Sequence, residues 1–110
     1  REMFNKPNYP DAVFVVQDSM AFAVMDVLRN ELNLKIPDDV SVIGYDDVPP
    51  AALAAYDLTT MRQRSNIMVE ETVSLMLDKI TNPSLEPRHI KVESPLIIRS
   101  SAKVPKGWTS

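Results

Sequence analysis

The stretch Ser41-Val42-Ile43-Gly44-Tyr45-Asp46-Asp47 constrains the fold of this chain more than any other. Val42 and Ile43 are β-branched and uninterrupted by charge, the pattern of a parallel strand covered on both faces. Gly44 removes a side chain just before the run turns polar, which suits close approach of another backbone or a ligand. The same grammar occurs earlier, where Ala12-Val13-Phe14-Val15-Val16 ends in Gln17-Asp18. A helical pattern lies between them, so residues 12–45 read as a βαβ unit with a right-handed crossover. Two such strands side by side bring Gln17, Asp18, Asp46 and Asp47 to one rim. Open α/β sheets bind ligands outside the carboxyl ends of their strands, so that rim is the predicted site.

Asp18 is expected to cap the intervening helix, which runs to about Asn33. Ala21, Val24, Met25, Leu28 and Leu32 recur at helical spacing and form the stripe that packs on a sheet. Met20, Phe22, Ala23 and Val27 lie off that stripe and are apolar as well; between Met20 and Leu28 only Asp26 is polar. A helix apolar round most of its circumference is covered on more than one side, by another subunit or by more of its own domain.

Residues 1–9 read as a linker. Lys35-Ile36-Pro37-Asp38-Asp39 reads as a turn, and Ala51 to Ala55 as a short helical turn after Val48-Pro49-Pro50. Leu58 to Met61 is a third extended run. Ser65 or Asn66 then caps a second helix, with Val69, Val73, Met76, Leu77 and Ile80 on one side and Glu70, Glu71, Asp78 and Lys79 opposite. Asn82-Pro83 stops it. His89 to Glu93 and Leu96 to Arg99 are short extended runs, and the tail is polar apart from Val104 and Trp108. Three strands are too little sheet for two long helices, so the chain reads as part of a larger α/β domain.

Composition narrows the function. No apolar run approaches the roughly 20 residues that cross a bilayer. The absence of cysteine excludes disulfides and thiolate metal sites. The net charge of −3 is uneven, since residues 61–110 hold eight of the 12 bases, but these are scattered and form no phosphate-binding stripe. An enzyme would have to use the carboxylates, yet Asp46 and Asp47 are adjacent and on a regular strand point to opposite faces. The single histidine, His89, sits among charges, and Gly44 and Gly107 are too far apart for a phosphate-binding loop. Asp18, Asp46 and Asp47 do not resemble a calcium loop. No catalytic residue, metal site or cofactor is expected.

Three blocks in register resemble the LacI/GalR family of bacterial transcriptional repressors: Pro10-Asp11-Ala12-Val13-Phe14 leading to Asp18, Pro37-Asp38-Asp39-Val40 continuing to Asp47, and Leu58-Thr59-Thr60-Met61-Arg62-Gln63. The likeness covers most of residues 10–100. It implies a parallel-sheet, three-layer, periplasmic-binding-protein-like α/β sensor domain, present here only as its C-terminal portion. Residues 10–62 would belong to the C-terminal lobe, 63–94 to a crossover and a helix of the N-terminal lobe, and 95–110 to a return strand and tail. It further implies a small-molecule effector, a sugar, bound by Asp46, by Gln17 and more weakly by Gln63. Gln17 stands where relatives usually have Asn, and its extra methylene changes the pocket's shape. Met20, Phe22, Ala23 and Val27 fall where the family forms its homodimer. Operator DNA would be contacted only by a domain absent from this sequence, in the cytoplasm and without a membrane. The competing expectation is a periplasmic sugar-binding transport receptor, for which the outer face of the first helix would be polar.

Overall fold

The computed structural model describes residues 2–106, so Gly107 and Trp108 lie outside the described residues. Two compact units divide the chain, one made of residues 2–62 with 95–106 and the other of Gln63–Ser94.

The first unit is built on a four-stranded sheet: β1 (Ala12–Phe14), β2 (Ser41–Asp46), β3 (Thr59–Arg62) and β4 (Leu96–Ile97), in that spatial order. β1 and β2 pair in parallel with Val13 opposite Val42, and β2 and β3 in parallel with Gly44 opposite Thr60. β4 runs antiparallel to β3, with Ile97 opposite Thr60. Between β1 and β2 the chain forms α1 (Asp18–Asp26), which continues through a π-helical turn, Val27–Glu31. It stops at Asn33, whose φ of 54° only a residue tolerant of the left-handed region adopts easily.

The helix stripe meets the sheet as its spacing predicts. Ala21, Met25 and Leu28 are fully buried against Val40, Val42, Ala51 and Leu58, while Val24 and Leu32 pack at the margin. Phe4 and Tyr9, in the segment read as a linker, contact each other at 6.0 Å between ring centroids and pack on this same core. The opposite face of the sheet differs from expectation. Val42 is buried, but Phe14 remains 60% exposed. A strand reads as doubly covered when its sequence is continuously apolar, and among the described residues α1 covers only one of the two faces.

Two caps differ from the sequence reading. Asp18 is already the first residue of α1, Gln17 occupies the N-cap position, and no side chain caps that end. The Asp18 carboxylate is drawn into the sheet instead. In the second unit, α2 (Ser65–Thr81) has Arg64 at its N-cap position, again without a side-chain cap, so neither Ser65 nor Asn66 plays that part. The turn after β2 is a 3-10 turn over Pro49–Ala52, slightly earlier than expected. Residues 89–93 form no strand, and the run expected over Leu96 to Arg99 is reduced to Leu96–Ile97. Polar His89, Lys91 and Glu93 fall at every second position there, and among the described residues no neighbouring strand pairs with them.

No residue of α2 is buried. Val69, Val73, Met76, Leu77 and Ile80 are all more than half exposed, so the stripe predicted to pack is present without a partner. This contrast generates a test. In the 110-residue chain, Leu28→Ala lowers stability by about 2–5 kcal/mol, whereas Leu77→Ala costs well under about 1 kcal/mol. Urea unfolding midpoints measure both.

Candidate functional site

β1 and β2 are parallel neighbours, so their carboxyl ends share one edge of the sheet. The Val15 N–H still donates to the Ile43 carbonyl at 2.8 Å before the chain turns into α1. Gln17 follows at once, exposed and extended (φ −143°, ψ 141°), with its side chain free of any capping bond. Asp46 closes β2 opposite Arg62 of β3 and is half-buried. The structure thus brings Gln17 and Asp46 to the same edge, while Gln63 belongs to the other unit.

Asp46 and Asp47 have φ values of 138° and 61°. Consecutive non-glycine residues at positive φ persist only where their surroundings over-determine them, at roughly 1–3 kcal/mol each in sparsely populated regions. Three restraints are visible. Before the turn, β2 is held by its pairing to β3. Within it, the Asp47 carboxylate, 7% exposed, bonds Arg62 at 2.7 Å and Arg99 at 2.8 Å. After it, the Val48 N–H donates to Asp18 Oδ2 at 3.0 Å.

Asp18 is wholly buried, and its Oδ1 also accepts the Thr60 hydroxyl at 2.7 Å. A carboxylate fits this niche because it is an acceptor facing two donors. It fits sterically because Gly44 lacks a side chain: a Cβ there would stand 2.4 Å from Asp18 Oδ1 and 2.9 Å from Leu58 Cδ2. The close approach foreseen at Gly44 is made by the side chains of Asp18 and Leu58. The sequence suggests a helix cap for Asp18 and a place on the rim for both carboxylates, but not these long-range bonds. No local pattern pointed to Thr60, Arg62 or Arg99, because their partners lie 15 to 52 positions away along the chain.

Burial by itself would raise the Asp47 carboxyl. The hydrogen bonds from Arg99 and Arg62, with their charges, outweigh it and hold the group below its ordinary value. Arg99 is the stronger partner, being 15% exposed against 52% for Arg62 and also donating to the Leu58 carbonyl at 2.9 Å. Among the described residues no cluster of three His, Asp or Glu side chains is placed to hold a metal ion.

On α1, Met20 is 52% exposed and Ala23 is exposed, while Phe22 and Val27 are half-buried. Phe22 stacks on Tyr56 with 4.3 Å between ring centroids, and the Tyr56 hydroxyl donates to Asp26 at 3.3 Å. Part of the off-stripe apolar surface is therefore covered from within the unit. No helix among the described residues is long and apolar enough to cross a membrane.

Residues 1–102 match the model of the periplasmic binding protein-like domain. The chain is 36% identical over 92% of its length to the HTH-type transcriptional regulator CelR of Thermobifida fusca, covering 29% of that protein. It is 33% identical over 93% of its length to the ribose operon repressor of Escherichia coli K12, covering 31% of it. A solved CelR–cellobiose complex superposes on 87% of the chain, 29% of its own, with a TM-score of 0.78 at 36% identity. A LacI family regulator from Lactobacillus casei with bound sucrose matches 92% of the chain and 37% of its own, with a TM-score of 0.74 at 34% identity. The chain thus spans about a third of the length of these relatives, which are transcriptional regulators and not enzymes.

The Asp47 clamp has a pH signature. Its folded pKa lies below the unfolded value of about 3.9, so its contribution is complete above that value and disappears as pH falls through the folded one. Asp47→Asn costs about 1–3 kcal/mol at pH 7. The gap between variant and wild type closes on acidification below about pH 4, as denaturant midpoints across the series measure.

Proposed function

The chain belongs to the periplasmic binding protein-like domain family, and we propose that it is the C-terminal part of the effector-binding domain of a LacI-type transcriptional regulator. Residues 10–62 with the return stretch from 95 form most of one lobe, and α2 packs its apolar stripe on the other. The effector is a small hydroxylated molecule, of the sugar class found in the relatives with cellobiose and sucrose. The observation that carries this reading is the shared edge of β1 and β2, which offers a carboxylate at Asp46 and an amide at Gln17. An acceptor-only carboxylate beside a group with both donor and acceptor suits hydroxyl recognition without chemical change. Gln63 contributes from the crossover.

Met20, Phe22, Ala23 and Val27 form the dimer face, of which Met20 and Ala23 are the parts left open. Effector binding changes the relation of the lobes and the geometry of the dimer, and operator affinity follows, provided the effector contacts differ between the two states. DNA is contacted by residues outside this sequence, in the cytoplasm.

Two measurements check the proposal. Calorimetric titration of the intact regulator with a panel of mono- and disaccharides including ribose, cellobiose and sucrose identifies the effector. Asp46→Ala then weakens it about 10–100-fold, the loss expected for hydrogen bonds to a charged group; unchanged affinity removes Asp46 from the site. Separately, Met20→Glu shifts the sedimentation profile from dimer toward monomer without lowering the unfolding midpoint, because Met20 is exposed in the folded unit. A dimer as tight as wild type refutes that face.

A further inference from the structure

The turn carrying Asp46 is tied to α1 by the Val48 N–H, which donates to Asp18 Oδ2 at 3.0 Å. Its acceptor is anchored by a different element, the Thr60 hydroxyl of β3 at 2.7 Å from Oδ1. One buried carboxylate therefore joins the start of α1, the middle of β3 and the exit of β2. We infer that Asp18 is the positioning residue of the effector site: through Val48 it holds Asp46 in its positive-φ conformation and so aims the carboxylate before any effector arrives. This inference rests on the reading of Asp46 as an effector contact.

The surroundings favour positioning over a general packing role. Asp18 is wholly buried, yet its two oxygens each meet a donor, one from the chain after β2 and one from β3. Gly44 keeps that space open, and any Cβ there would displace an oxygen already committed to Thr60. Without the Val48 bond, the turn loses its tie to α1 and Thr60, while the ion pairs of Asp47 with Arg62 and Arg99 remain. Arg62 is half exposed, so the paired segment would relax toward negative φ and swing the Asp46 side chain. A pre-aimed ligand group raises affinity by removing the ordering cost of binding.

Hydrogen exchange reads the clamp directly. Pro49 and Pro50 carry no N–H, so exchange over residues 48–50 reports the Val48 amide alone. In the intact wild-type regulator without sugar, this amide exchanges slowly. In Asp18→Ala it speeds up at least about tenfold, and affinity for the cellobiose or sucrose probe falls about tenfold or more. Asp18→Asn, which can present its oxygen to Val48 and its amide to the Thr60 hydroxyl, keeps both within about threefold. Leu28→Ala lowers the unfolding midpoint through the core but leaves both readouts near wild type. Fast Val48 exchange in the wild type overturns the inference whether or not any variant folds. So does unchanged exchange in Asp18→Ala, or a loss of affinity in Leu28→Ala equal to that in Asp18→Ala. Weakened binding in Asp46→Ala with normal binding in Asp18→Ala overturns the inference alone, whereas normal binding in Asp46→Ala overturns the effector-site reading and this inference with it.

Discussion

A buried carboxylate beneath a glycine holds the working edge of this sheet together. Asp18 could not lie where it does if residue 44 had a side chain, and without Asp18 the chain after β2 would lose its tie to α1. Leaving a buried acceptor unmatched costs about 1–3 kcal/mol, and more when it is charged. Both oxygens are matched here, so the group adds direction to the turn and leaves neither oxygen without a donor. The polar niche and the apolar core are continuous, since Leu58 touches both.

A second polar cluster lies one residue beyond the candidate contact. Asp47 binds Arg62, the last residue of β3, and Arg99, which follows β4. The Arg62 N–H also donates to the Pro95 carbonyl at 2.9 Å, so the chain is fastened where it leaves this unit and where it re-enters it. Backbone strain at Asp46 and Asp47 is thereby bracketed by ionic and neutral bonds from β3, from Arg99 beyond β4 and from Asp18 of α1. An isolated surface ion pair would be too weak for that role, but the Asp47–Arg99 pair is largely withdrawn from water.

What the sequence made legible was periodic. The stripe from Ala21 to Leu28, the parallel pairing of β1 and β2, and the long helix from Ser65 all follow from spacing that neighbouring residues reveal. The shared edge of Gln17 and Asp46 follows from strand order. The polar chemistry behind that edge did not show, because a carboxylate near a strand end looks the same whether it caps a helix or enters the sheet. Asp18 took the second course since Gly44 and Thr60, distant in sequence, built a niche for it. The length of β4 was illegible for a related reason: strand formation near Leu96 depends on partners, and among the described residues β3 alone pairs with it.

The first unit is discontinuous, and its last-made part is structural. Ser101 donates its hydroxyl to the Val42 carbonyl at 2.5 Å and accepts the Thr59 N–H at 2.8 Å, tying β2 to β3 below the start of their ladder. During synthesis those bonds wait for about 40 residues after Arg62, which at about 5–20 residues per second is a delay of about 2–8 seconds. Through that interval the nascent sheet lacks its final stitch, and β2 and β3 are joined at their amino ends only once the chain has been made as far as Ser101.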